Sequence, residues 1–142
     1  MSGTPTLVFA DSIAAKLYAY TYDGSEGRVR DRRLFADTTE LGGWPDGACA
    51  DADGGVWSCV IGPGKLARYR AAGIDKVLDV PVELPADVTF GGPQLDRLYF
   101  VSIAVSIHDI EIVSPDAGGL MVIDDSGHRG QPEPRVHLER RE

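Results

Sequence analysis

Pro45-Asp46-Gly47-Ala48-Cys49-Ala50-Asp51 is echoed 40 residues later by Pro85-Ala86-Asp87-Val88-Thr89-Phe90-Gly91. Gly55-Val56-Trp57 finds its counterpart in Arg97-Leu98-Tyr99, with 42 residues separating Trp57 from Tyr99. Leu66-Ala67-Arg68-Tyr69 is matched by Leu17-Tyr18-Ala19-Tyr20 before it and Leu120-Met121-Val122-Ile123 after it. Self-similarity at roughly 40–45 residues, with four short strands in each unit, is the signature of propeller blades. The repeat therefore predicts an all-β chain of about three four-stranded β-propeller blades, spanning roughly 1–44, 45–84 and 85–138. The first of them is incomplete at its start.

Working outward from the repeat, the predicted strands are short and apolar. They are Leu7 to Ala10, Lys16 to Tyr22, Arg32 to Ala36, Ala48 to Ala50, Val56 to Ile61, Lys65 to Arg70 and Ile74 to Val80. Seventeen Gly and nine Pro fall between these runs, where turns are needed. The strands alternate poorly, as expected where blades stack face to face and bury both sides. Gly42 to Gly47 reads as a turn-rich joint, and the paired arginines Arg32-Arg33 suit an exposed edge. The segment from Val105 to Val113 fits neither the helical nor the strand period. It is expected to be an excursion, with a turn or two of helix open to it.

Composition excludes several classes of function. The chain has 142 residues, 43% of them apolar and 25% charged, which is ordinary for a globular domain. Twenty-two acidic against fourteen basic residues give a net charge of −8, which argues against a nucleic-acid partner or a polybasic membrane anchor. No signal-like segment opens the sequence, and the longest apolar-leaning run, Leu98 to Ile107, is too short to span a bilayer. Cys49 and Cys59 flank the turn Asp51-Ala52-Asp53-Gly54-Gly55. A register centred on Asp53 sets Cys49 opposite Trp57 and Cys59 opposite Gly47, so the two sulfurs are diagonal neighbours and poorly placed for a relaxed disulfide. Two free, buried thiols in a reducing cytoplasm are expected.

Few motifs carry chemistry. Asp51-Ala52-Asp53-Gly54-Gly55 suggests a calcium loop, but the positions that need an oxygen ligand and a bidentate Glu are Gly55 and Gly62. A tight acidic hairpin is the better reading. No Gly-x-Ser-x-Gly elbow and no Walker loop occurs. His108, His128 and His137 lack metal-site spacing and are expected at the surface. Asp46 differs in kind. Pro-Asp-Gly favours a turn, because Pro presets φ and Gly accepts positive φ. Yet Asp46 also opens a blade's first strand, where its carboxylate can face a metal or substrate on a propeller axis.

Residues Gly43 to Trp57 resemble the PDG-x-x-x-D-x-x-G-x-(L/V)-W signature of the senescence marker protein/gluconolactonase/luciferin-regenerating enzyme family. Asp11-Ser12 with Leu17 to Asp23 resembles its D-S-x-x-x-x-I-x-x-F-D-Y-D segment. Val88 to Pro93 with Leu95 to Tyr99 resembles its T-F-G-G-x-x-x-D-x-L-Y segment, and Gly130 to Arg135 its closing G-x-P-E-P-R. The resemblance runs in family order along nearly the whole chain and corresponds to the C-terminal half of the family fold. It implies half of a six-bladed propeller. It also implies metal-dependent hydrolysis of a sugar lactone, with one divalent cation, calcium or zinc, on the axis. In the family the metal polarises the lactone carbonyl and activates a water, with an axial Asp as ligand and base. That Asp matches Asp46, expected as catalytic residue and metal ligand. The Ser of the D-S segment matches Ser12, expected as a substrate-binding hydroxyl at the channel rim.

The departures point elsewhere. Family metal sites also use a Glu and Asn residues from blades preceding the matched region, and this chain contains no asparagine. Where the family has P-T-S before V-T-F-G-G, this chain has Pro85-Ala86-Asp87, losing two hydroxyls and gaining a charge. Three readings follow. One is a lactonase completed by a homodimer or a partner chain. Another is a non-catalytic truncated propeller acting as an interaction module or subunit. The last is a decayed fragment.

Overall fold

The computed structural model describes residues 5–71 and 73–133. The described residues form three antiparallel sheets. The first contains β1 (Thr6–Asp11), β2 (Lys16–Asp23) and β3 (Arg28–Asp37), paired in that order. The second contains β4 (Trp44–Ala50), β5 (Val56–Ile61), β6 (Lys65–Arg70) and β7 (Gly73–Asp79), again in sequence order. The third contains β8 (Pro85–Gly91), β9 (Arg97–Ser102) and β10 (Leu120–Ile123), with β9 in the middle. The repeat is visible in these positions, since β8 and β9 re-enact β4 and β5. By the same correspondence β1, β2 and β3 stand for β5, β6 and β7. Among the described residues the first sheet thus lacks a counterpart of β4, and the third lacks one of β7. Among the described residues, the four strands expected in every unit are complete only in the middle sheet.

Each sheet grows by local hairpins. The β4–β5 turn is the acidic hairpin expected from its sequence. Asp51 N–H donates to Gly55 O at 2.9 Å, and the Asp51 Oδ1 accepts the N–H groups of Gly55 at 2.8 Å and Asp53 at 2.9 Å. The register places Cys49 opposite Trp57, and both cysteines are free; Cys59 is buried as expected, whereas Cys49 is only half-buried. From β6, Arg68 reaches back over this turn, donating Nε to Asp51 Oδ2 at 2.6 Å and Nη2 to Asp51 Oδ1 at 3.1 Å, while Nη1 meets Asp75. Gly55 is needed there because a Cβ would lie 2.5 Å from Arg68 Nε. Burial works to raise the Asp51 pKa, but the Arg68 hydrogen bonds and the Gly55 N–H outweigh it and hold this carboxyl below its usual value. Gln131 Nε2 donates to Asp51 O at 2.7 Å, tying the end of the described chain to the same turn.

Three expectations are corrected. Pro45-Asp46-Gly47 is not a turn but part of β4, with a bulge between Pro45 and Ala48 absorbing the irregularity. Burial of Pro45 and the close approach of β8 to Gly47 hold this stretch extended. The excursion between β9 and β10 contains no helical turn; Ile107 and Ile110 close a small bridge instead. Its backbone is satisfied from outside. Glu83 Oε1 accepts the N–H of Val113 at 3.3 Å and of Ser114 at 3.1 Å, and Ser114 Oγ donates to Pro81 O at 2.7 Å. That external anchoring removes the incentive to coil. His128, expected at the surface, is half-buried with its ring 5.8 Å from that of Trp57. Arg135, His137 and the end of the third predicted unit lie outside the described residues.

The core is two layers either side of the middle sheet. Trp57, Cys59 and Leu66 pack with Val88, Phe90, Leu98 and Phe100 of the third sheet. On the opposite face, Val60, Ala67 and Tyr69 pack with Leu17 and Ala36 of the first. All six residues of β5 are buried, which is why that strand does not alternate. No helix among the described residues is long and apolar enough to cross a membrane.

Candidate functional site

The sheets are arranged so that β4 and β8, the opening strands of two successive units, lie side by side. At Gly47 the approach is so close that a Cβ would stand 2.6 Å from Asp87 Cα and 2.7 Å from Ala86 O. Glycine is required there by contact, not by backbone angle. The result brings Asp87 of β8 alongside Asp46 of β4. Burial raises the Asp46 carboxyl above its ordinary pKa, the negative charge of Asp87 adds to the rise, and the Gly47 N–H only partly opposes it. Asp46 is held from behind, where Ser58 Oγ donates to its backbone oxygen at 3.1 Å.

Ser12 sits just past the end of β1, and its Oγ donates to Pro45 O at 2.8 Å. Its proton is committed to that carbonyl, so the hydroxyl presents lone pairs and not an activated nucleophile. The structure thus brings both sequence-selected residues, Ser12 and Asp46, to the start of β4. The nearby thiols are also inert. Burial, then the charges of Asp87 and Asp51, push Cys49 up to about 12. Cys59 is raised as well, by burial first and then by Asp87 and Asp46. Both remain protonated at neutral pH.

Asp87 was not singled out as a site residue by the sequence, although a signal existed. The repeat offset that aligns Pro45 with Pro85 also aligns Gly47 with Asp87. A carboxylate in one unit thereby takes the place that must be side-chain-free in the other. Chemically, the seam offers a carboxylate of raised proton affinity beside a second carboxylate. Calcium takes 6–8 oxygen ligands and structural or catalytic zinc about four in all. Among the described residues no cluster of three or more His, Cys, Asp or Glu side chains is placed to hold a metal. Asp46 and Asp87 do not by themselves make a calcium or zinc site.

The relatives of this chain place it in context. The family model described as the SMP-30/gluconolactonase/LRE-like region matches residues 3–104. The pentonolactonase XacC of Haloferax volcanii is 34% identical over 130 residues, covering 88% of this chain and 45% of that protein. The L-arabinolactonase of Azospirillum brasilense is 34% identical over 119 residues, 82% of this chain and 38% of that enzyme. Regucalcin of Xenopus laevis is 29% identical over 128 residues, 88% of this chain and 43% of its own length. Among solved structures, a luciferin-regenerating enzyme superposes with a TM-score of 0.83 at 23% identity, covering 94% of this chain and 45% of that one. A regucalcin from Agrobacterium tumefaciens, described as a calcium-binding protein, superposes with a TM-score of 0.80 at 25% identity, covering 96% and 46%. The chain therefore spans less than half the length of these relatives. By sequence and by fold, it belongs to the SMP-30/gluconolactonase/LRE-like family.

Proposed function

We propose that this chain contributes the Asp46 side of a centre that hydrolyses a sugar lactone. The observation that carries the reading is the β4–β8 seam, where Asp46 is held beside Asp87 with its proton affinity raised. A general base gains from a pKa nearer the working pH. Water adds to the lactone carbonyl carbon while its proton passes to the Asp46 carboxylate. The tetrahedral intermediate then collapses, the ring C–O bond breaks, the ring oxygen takes up a proton, and the open-chain hydroxy acid leaves. Ser12 accepts a hydrogen bond from a substrate hydroxyl at the rim.

The lactonase names among the relatives support the reaction class, and the calcium-binding description of one regucalcin supports a divalent cation, calcium or zinc. Such an ion would draw its remaining ligands from outside the described residues. In this reading the chain is half of a six-bladed ring, with blades at roughly 1–44, 45–84 and 85–138, completed by a second copy or a partner chain. Open apolar faces at both ends favour it, with Phe9 52% and Leu34 55% exposed on the first sheet and Leu120 68% exposed on the third. Two free thiols suit a reducing, cytoplasmic setting. A non-catalytic interaction module is the second reading, favoured by the same open faces and by the short ligand set.

Proton release on opening of a sugar lactone, measured with and without calcium and zinc, tests the proposal. Turnover that requires a metal and disappears in Asp46→Ala is expected. Equal, metal-independent background rates in both proteins would overturn it and favour the interaction module.

A further inference from the structure

At the start of β4, two residues before Asp46, Trp44 lines a cleft of about 290 Å³ together with Ser12, Ile13, Ile61, Ile107 and His108. Three parts of the chain build it. Trp44 and Ile61 are direct cross-strand partners on β4 and β5. Ser12, just past β1, is fastened to Pro45, the residue between Trp44 and Asp46. The excursion after β9 supplies Ile107 and His108, and the His108 ring stands 5.8 Å from the Trp44 ring at an interplanar angle of 52°.

Several features are hard to account for as packing. Ile13, at the rim, is 93% exposed, and Trp44 remains 37% exposed although its cross-strand partner Ile61 is buried. His108 adopts a φ of 50°, a left-handed backbone that a side-chain-bearing residue rarely takes without being held there. The bridge between Ile107 and Ile110 holds it, and this turn delivers the imidazole to the indole. The walls are four apolar side chains, with polar groups only at Ser12 and His108. A polyhydroxylated ring buried here would leave most of its hydroxyls without partners, which binding penalises.

We infer that the Trp44–His108 cleft is a specificity subsite that takes an alkyl or aryl substituent of a lactone whose ring lies at Asp46. The choice of a lactone rests on the proposed hydrolytic function; the apolar character of the occupant rests on the cleft alone. Trp44 supplies a flat face for the substituent, Ile13, Ile61 and Ile107 enclose it, and His108 fixes the indole plane.

The probes are δ-lactams, which cannot be opened by the same chemistry under assay conditions, carrying no substituent, alkyl chains of increasing length, or several hydroxyls. Binding to the full chain is followed by calorimetry and by tryptophan emission. Only Trp44 and Trp57 emit, and Trp57 is fully buried, so a change on binding reports Trp44. Affinity is expected to rise about fourfold per methylene until the cleft is filled. Trp44→Ala and His108→Ala should each weaken the longest alkyl lactam by roughly tenfold, with Trp44→Phe retaining most of the affinity. Near-ultraviolet circular dichroism establishes that each variant is folded. Affinity independent of chain length, or a polyhydroxylated lactam bound as tightly as an alkyl one, would overturn the inference. Chain-length-dependent binding without any lactone opening leaves the subsite standing and sinks the hydrolytic reading. Opening of sugar lactones with no alkyl preference does the reverse.

Discussion

The middle sheet and the first sheet are built from the same repeat, yet they meet very different surroundings. β5 is buried at every position and carries Trp57 toward one neighbour and Val60 toward the other. β1, its counterpart in the first sheet, contains no fully buried residue, and Phe9 is 52% exposed. The difference does not come from strand propensity, since Leu7-Val8-Phe9-Ala10 is as apolar as Val56-Trp57-Ser58-Cys59. It comes from place in the row. A sheet between two others buries both faces, whereas a terminal sheet buries one and offers the other.

Substitutions should expose that asymmetry most strongly at its centre. Trp57→Ala removes the largest fully buried side chain, which meets Phe90 edge-on at a centroid distance of 6.4 Å. A loss of about 3–5 kcal/mol in denaturant-induced unfolding is expected. A loss below about 1 kcal/mol would mean that the two core layers are not the source of stability.

Next comes the buried ion pair of the middle sheet. Arg68→Met leaves Asp51 charged, wholly buried and without its partner, for an expected loss of about 3 kcal/mol. The pH dependence has a definite sign. The Asp51 carboxyl is held below its usual range when folded, so its contribution is present above the unfolded-state pKa and fades as pH falls through the folded one. Removing Arg68 raises the folded pKa, so acid unfolding should begin at a higher pH. An unchanged acid midpoint would show that Asp51 is held by the turn alone.

The seam between the middle and third sheets gives a smaller effect of opposite sign. The Asp46 pKa is raised in the fold, so its ionisation costs stability as pH rises through that window. Asp46→Asn should therefore melt slightly higher than wild type at neutral pH while losing turnover. Asp87→Asn removes the neighbouring charge and should move the acid limb of the rate profile to lower pH. A fixed acid limb would separate Asp87 from the chemistry.

At the exposed face the effect should be smallest. Phe9→Ser is expected to lower monomer stability by only about 1 kcal/mol, because Phe9 stays 52% exposed and about half of its surface leaves water on folding. A loss comparable to that of Trp57→Ala, appearing only at protein concentrations where the chain self-associates, would place a second copy on this face.

Much of the architecture was legible in the sequence because repeats and turn residues are local signals. Val56–Ile61 and Lys65–Arg70 emerge as strands with the expected bounds, and the acidic hairpin forms as its spacing dictates. Pro45-Asp46-Gly47 misled because its turn propensity is overruled by burial of Pro45 and by β8 pressing on Gly47. Those are contacts across about 40 residues of chain. The candidate site was half visible. Asp46 and Ser12 carry motif signals, whereas Trp44 and His108 acquire significance only when β4 and the excursion after β9 meet. No spacing rule relates residue 44 to residue 108, so only the fold could pair them.

The proposed role of Asp46 as the base in a centre that this chain only partly supplies has a kinetic signature. Its most direct test is the rate of sugar-lactone opening per chain, measured across a wide range of protein concentration for wild type and Asp46→Asn, in the presence of calcium or zinc. The wild-type rate per chain is expected to climb with concentration to a plateau as assembly completes the site, with no such rise in Asp46→Asn. A rate that is the same in both proteins at every concentration would contradict it.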